Sequence, residues 1–212
     1  MIYDRINIML PTYMRSKTRL PKFVDTCLST VEDVERISFC VMTNEKDEET
    51  REYLKQRLDG VVDYEVMTEN LPKPDFSKYF NTMYDTTKFN EPSRLVSMLG
   101  DDMEFQTEGW DRILLEWVNW FNGVGLFFCD DCKGTGSSLA VNFFGTRKYF
   151  DAVKPYPWMC EMFPVDDIDV VHDQTARLIK RRFYIEKIKI FHNHATLPGR
   201  MDSTWQRSRE QM

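Results

Sequence analysis

The sequence lacks any apolar run near the roughly 20 residues that a bilayer-spanning helix needs. Its opening, Met1-Ile2-Tyr3-Asp4-Arg5, also lacks the pattern of a secretion signal, so a cytoplasmic protein is expected. Basic charge is not in excess: 28 Lys and Arg stand against 34 Asp and Glu, a formal net charge of −6. That sign argues against a broad nucleic-acid surface, because backbone phosphates are held by cations. Cysteines number only 5, odd and without framework spacing, so structural disulfides are not expected. Internal repeats and linker-like stretches are missing too. With 212 residues, 42% of them hydrophobic, the chain can bury one well-packed core. One domain over residues 1–196 is expected, with a polar, partly basic tail over 197–212.

What is present is alternation. Residues 6–10 read as a strand closed by Pro11-Thr12. Leu20, Phe23, Val24, Cys27, Leu28 and Val31 recur at helical spacing. Further strands are expected over 37–42, 61–67 and 95–99, with helices over 48–58 and 76–86. Beyond residue 100 the pattern predicts helices over 109–121, 146–153 and 166–181, and strands over 124–129, 139–144 and 187–191. Strand alternating with helix implies an α/β, Rossmann-like domain with a mostly parallel central sheet flanked by helices, its functional loops on one edge.

On that edge stands Leu99-Gly100-Asp101-Asp102-Met103-Glu104, acids placed where an apolar strand has just ended. Carboxylates outside the carboxyl ends of parallel strands suit Mg²⁺ or Mn²⁺, and an ion with few protein ligands keeps positions open for substrate phosphates. The same residues also read as plain chain caps, with Glu104 on the solvated surface. Val165-Asp166-Asp167-Ile168-Asp169 opens a helix, where acids either face the macrodipole or serve as a general base. His192 and His194, two of only three histidines, are alternate residues beyond the last strand and share a face if it runs that far. Cys129-Asp130-Asp131-Cys132 has no second pair to complete a zinc site. The 134–138 segment lacks the ending of a P-loop and reads as a flexible polar flap.

Taken in order, these segments resemble the family 2-like glycosyltransferases of the GT-A fold. Ile8-Met9-Leu10-Pro11-Thr12-Tyr13-Met14-Arg15 is similar to the family's opening strand and Pro-Thr-Tyr-Asn-Arg turn, with Met14 where Asn is usual. Asn81 matches in placement the asparagine of the helix before the acidic motif. Leu99-Gly100-Asp101-Asp102 looks like the Asp-Ala-Asp-Asp form of the DXD motif, with Leu99 in place of its first Asp. Glu108-Gly109-Trp110-Asp111 and Phe144-Gly145-Thr146-Arg147 look like elements around the acceptor-side sheet.

The resemblance implies a nucleotide-sugar donor, most often a UDP-sugar, a glycan or other small acceptor, and Mn²⁺ or Mg²⁺ on the donor diphosphate. It assigns metal binding to Asp102, with His192 or His194 from the C-terminal region. Asp101 then reaches the donor ribose, or the metal through water. Asp167, beside Asp166, stands where the family's general base lies. The donor's base is expected between Thr12, Tyr13 and Arg15 on one side and Asn44 and Glu45 on the other, with Asn81 nearby. Two rivals carry the same acids. One is a nucleotidyltransferase making nucleotide sugars, disfavoured because residues 13–18 offer Arg15 and Lys17 but no glycine. The other is a non-catalytic module that binds nucleotide or carbohydrate.

Overall fold

The strand on which the sheet is hung is β1 (Arg5–Pro11), buried on both faces along nearly its whole length. Ile6, Ile8 and Leu10 enter one apolar layer and Met9 the other, so helices must cover both sides. In this computed structural model, residues 2–70, 75–89, 91–133, 138–141, 143–153 and 168–193 are described. The elements after β1 are α1 (Leu20–Thr30), β2 (Ile37–Asn44), α2 (Glu48–Leu58), β3 (Asp63–Glu69), α3 (Phe76–Thr86) and β4 (Arg94–Met98). Then come β5 (Met103–Phe105), α4 (Trp110–Trp120), β6 (Leu126–Asp130), β7 (Phe143–Thr146), α5 (Arg147–Val153), α6 (Ile168–Leu178) and β8 (Arg182–His192).

The sheet has eight strands in the order β3-β2-β1-β4-β7-β6-β8-β5. Its first four are parallel, as expected, and β7 joins β4 antiparallel. β6 pairs antiparallel with β7 and parallel with β8, and β5 closes the order antiparallel to β8. One layer packs Phe23 and Val24 of α1, Leu54 and Leu58 of α2, and Trp110, Leu114 and Val118 of α4 against the sheet. The other packs Tyr79, Phe80 and Met83 of α3 with Tyr149 and Phe150 of α5. The result is an α/β domain of three layers with a mixed sheet.

Four elements depart most from the pattern. The strand expected at 139–144 is β7, shifted toward the C-terminus; Ala140 instead donates its amide to Asp173 Oδ1 at 3.1 Å. α6 stops at Leu178 rather than 181, because Lys180 turns left-handed (φ 56°) and the Arg181 amide bonds back to the Ala176 carbonyl at 2.8 Å. β8 therefore begins at Arg182, five residues earlier than its charged sequence suggests. β5 is three residues long, too short for any period to reveal.

Candidate active site

Parallel order 3-2-1-4 means that β2 lies to one side of β1 and β4 to the other. The crevice between the carboxyl ends of β1 and β4 is thus a topological switch point, where open α/β sheets bind ligands. The expected acids stand there. Thr12, the residue after β1, has its amide on the Met42 carbonyl at 2.9 Å and donates its hydroxyl to Asp101 Oδ2 at 2.7 Å. Arg15 donates to the other oxygen of Asp101. Asp101 is only 4% exposed. Burial pushes its carboxyl above the ordinary Asp range, against the pull of the Arg15 charge.

Asp102 is partly buried, and its Oδ2 accepts from Arg19 Nη1 at 3.0 Å and lies 3.5 Å from His192 Nε2. Burial acts to raise this carboxyl too. The His192 hydrogen bond, with the charges of His192, Arg15 and Arg19, outweighs it and holds the group below the ordinary range. Two adjacent carboxyls pushed in opposite directions mark a site built for charge. Gly100 makes room for it: a Cβ there would meet Asp102 Oδ1 at 2.6 Å.

His192 reaches Asp102 because β8 changes partner along its length. Its first residues pair with β6, Cys129 opposite Ile185; a register shift then places Asp130 opposite Lys189. Past that irregularity β8 swings to β5, putting His192 opposite Met103. The Asn193 amide donates to the Asp102 carbonyl at 2.8 Å, fixing the strand end to the acidic turn. β5, the strand that delivers His192 to Asp102, is only three residues long. His194, Asp166 and Asp167 lie outside the described residues, as do the 134–137 loop and the 197–212 tail.

Of the expected donor-side residues, Thr12 and Arg15 meet Asp101 in this crevice. Asn44 is buried, its side-chain oxygen accepting the Lys46 amide at 3.0 Å, while Glu45 is exposed. Asn81 is buried on α3, which packs across β1 and β2. Tyr13 is half-buried. Met14 is left-handed (φ 52°), a conformation that asparagine tolerates better than an unbranched apolar residue.

Two residues of this crevice were not singled out from the sequence. Asp47 caps α2 through the Thr50 amide at 3.2 Å, and it also accepts the Met14 amide at 2.6 Å and the Thr43 hydroxyl at 3.2 Å. Its place before Glu48-Glu49 at a helix start was a readable cap signal. Arg19 carried no such signal, since its partner is 83 residues away.

Carboxylate oxygen and imidazole nitrogen suit Mn²⁺, and two ligands at ~2.1 Å from one ion lie roughly 3 Å apart when at right angles. The 3.5 Å between Asp102 Oδ2 and His192 Nε2 is close to that separation, so the pair fits a divalent ion. Among the described residues no group of three or more His, Cys, Asp or Glu could hold a metal. Within the described residues the pair leaves the other positions around such an ion open.

A cavity of about 680 Å³ lined by Tyr3, Arg36, Arg112 and Trp120 lies elsewhere, around the chain that precedes β1, and no candidate site residue lines it. Among the described residues no helix is long and apolar enough to cross a membrane.

No family model and no curated protein sequence matches the chain. Solved structures do. A mannosyltransferase from Pyrobaculum calidifontis, in complex with GDP-Man and Mn²⁺, superposes with a TM-score of 0.69 at 12% identity, over 98% of this chain and 61% of that one. TarS from S. aureus superposes with a TM-score of 0.62 at 9% identity, over 89% of this chain and 37% of that one. Its 1–349 fragment in complex with UDP gives 0.62 at 10% identity, over 88% and 59%. The chain spans about three-fifths or less of the length of these proteins. The fold is one that nucleotide-sugar glycosyltransferases have.

Proposed function

We propose that this chain is a glycosyltransferase that moves a sugar from a nucleoside-diphosphate sugar to an acceptor hydroxyl or amine, using Mn²⁺ or Mg²⁺. The observation that carries the reading is the meeting of Asp102 with His192 at the switch point of this fold. It is supported by the GDP-Man and Mn²⁺ held by the mannosyltransferase of like fold, and by UDP in the TarS fragment.

In this reading Asp102 and His192 would hold the ion, which would supply a Lewis acid for charge on the departing nucleoside diphosphate, a role worth several kcal/mol. Thr12 and Arg15 keep Asp101 oriented toward the donor ribose, while Tyr13 offers a face to the base. Asn44, Glu45 and Asn81 border the base and ribose. Asp167, with Asp166 beside it, is the candidate general base that takes the acceptor proton, and His194 a candidate further ligand.

The test is incubation with a panel of nucleotide sugars and Mn²⁺ while nucleoside diphosphate is assayed. Metal-dependent release that rises with acceptor supports transfer. Pyrophosphate formed from a nucleoside triphosphate and a sugar phosphate would instead make the protein a nucleotidyltransferase. Binding with neither release would make it a non-catalytic module.

A further inference from the structure

We infer that the cavity between α4 and the chain preceding β1 is a second binding site, separate from the acid crevice, that takes a neutral glycan on the face of Trp120. It stands whether or not the donor site does.

The cavity measures about 680 Å³, within the ~300–1,000 Å³ usual for small-molecule sites. One wall is a single face of α4: Arg112, Glu116, Asn119 and Trp120 are spaced as one helical stripe. The opposite wall is the chain before β1, and it is fixed to that stripe. The Tyr3 amide donates to Asn119 Oδ1 at 2.8 Å, and Asn119 Nδ2 donates to the Tyr3 carbonyl at 2.8 Å. The Tyr3 ring lies where a Cβ on Gly123 would be, 1.8 Å from it, so only glycine lets the ring seat there. Arg112 is held between Glu32 and Glu116, at 2.8 Å from each. The walls are therefore set before any ligand arrives, which spares the cost of ordering them on binding.

Trp120 is 83% exposed, and its indole N–H has no hydrogen-bond partner among the described residues. Folding gains little from a ring so placed; a ligand that covers it gains its area. The charges then select the ligand. The lining carries two acids, Asp4 and Glu116, against two guanidiniums, Arg36 and Arg112. Both guanidiniums are already neutralised, Arg36 by Asp111 at 3.1 Å, Asp33 at 3.4 Å and Glu32 at 3.6 Å, and Arg112 by Glu32 and Glu116. No spare positive charge is left for phosphate or sulfate, and the same guanidiniums oppose a cation on the ring. A purely apolar ligand would take water from these charges and return no hydrogen bond.

A neutral sugar meets each demand. The C–H bonds on one face of a pyranose are slightly positive and suit the negative face of the indole. Its hydroxyls both donate and accept. Asp4, exposed and without an ion pair among the described residues, can accept from one. Asn119 keeps one N–H and one lone pair beyond its bonds to Tyr3. Asp4 and Thr12 stand at opposite ends of β1, roughly 26 Å apart at ~3.3 Å per residue, so this site and the acid turn are distinct.

The test is titration calorimetry with four neutral hexasaccharides, maltohexaose, cellohexaose, mannohexaose and chitohexaose, and with sulfated maltohexaose. Wild type should bind at least one neutral hexasaccharide more tightly than the sulfated one. Trp120→Ala should weaken that binding at least about tenfold, and Trp120→Phe, which keeps a ring, should recover most of the loss. The urea midpoint of Trp120→Ala should match wild type, because the side chain is exposed. Asp102→Ala should bind the hexasaccharide as wild type does. The inference is overturned if none of the four binds, if Trp120→Ala binds as well as wild type, or if the sulfated form binds best. Binding lost in Asp102→Ala but kept in Trp120→Ala would put the sugar in the acid crevice and also overturn it. Trp120-dependent binding in a protein that releases no nucleoside diphosphate would uphold this site while the transferase reading failed.

Discussion

Two buried carboxylate centres in this protein are held in opposite ways. Asp111, 0% exposed in the first turn of α4, accepts the backbone amides of Glu32 at 2.8 Å and Asp33 at 3.4 Å, with Arg36 Nη1 at 3.1 Å. Asp101 and Asp102 are held by side chains: the Thr12 hydroxyl, the Arg15 and Arg19 guanidiniums, and His192. A carboxylate fixed by amides cannot change partners without the backbone moving. One held by long side chains can exchange them for a ligand, so the first centre is built for stability and the second suits the binding role proposed for it.

Removing Asp111 is the sharpest way to break that contrast. Asp111→Ala takes the buried acceptor from two backbone amides, while the partly exposed Arg36 keeps Glu32 and Asp33, and it should lower unfolding stability by about 3 kcal/mol. Urea denaturation measures this, and a loss under about 1 kcal/mol would show that water reaches the amides and that the centre is not a structural one. Next in size is Asp102→Ala, which should abolish Mn²⁺-dependent binding of UDP or GDP in calorimetry. His192→Ala should weaken it less. The folding cost of Asp102→Ala should stay near 1 kcal/mol, because Arg19 and His192 are side chains that can turn to other partners without the backbone moving. Equal stability losses for Asp111→Ala and Asp102→Ala would erase the distinction.

The parallel half of the sheet was legible because β1, β2 and β4 are apolar-rich runs and α1 and α3 carry clear periodicity. α2 and α3 fall at their expected residues, 48–58 and 76–86. The acids were legible as a pair at a strand end, and His192 as their partner through family resemblance. What sequence could not show was long-range pairing. β5 has three residues, β8 hides its length under alternating charges, and Arg19 finds Asp102 across 83 residues. Each depends on packing of α1 along β5, which no local pattern encodes.

A third test uses pH, with chelator present so that no metal is bound. Asp101 has its carboxyl raised in the folded state, so its contribution to stability is complete below the unfolded Asp range and is lost as pH climbs through the raised value. Asp102 has its carboxyl lowered, so its contribution is present above the unfolded range and is lost as pH falls through the lowered value. The difference in urea midpoint between wild type and Asp101→Asn should therefore shrink or change sign as pH rises from about 4 to about 8. A difference that grows with pH would mean that Arg15 more than offsets burial, and that the site prefers Asp101 charged.

The smallest effect is expected at Met14, where the same contrast shows in the backbone. Near Asp111 the left-handed residue is Gly109 (φ 65°), which adopts that conformation without strain. Beside the acidic site it is Met14, left-handed and 62% exposed, its amide turned onto Asp47 Oδ2 at 2.6 Å. A non-glycine side chain in that region costs roughly 1 kcal/mol, and asparagine tolerates it better. Met14→Asn keeps the amide and removes little packing, because the side chain faces solvent. It should raise stability by about 0.5 kcal/mol, a rise of one or two degrees in Tm. Asp47→Ala takes away the acceptor that fixes the turn and should cancel that gain when the two are combined. If Met14→Asn were destabilising, the methionine side chain would have to make contacts that its exposure does not suggest, and the strain assigned to Met14 would be lost as a difference between the two centres.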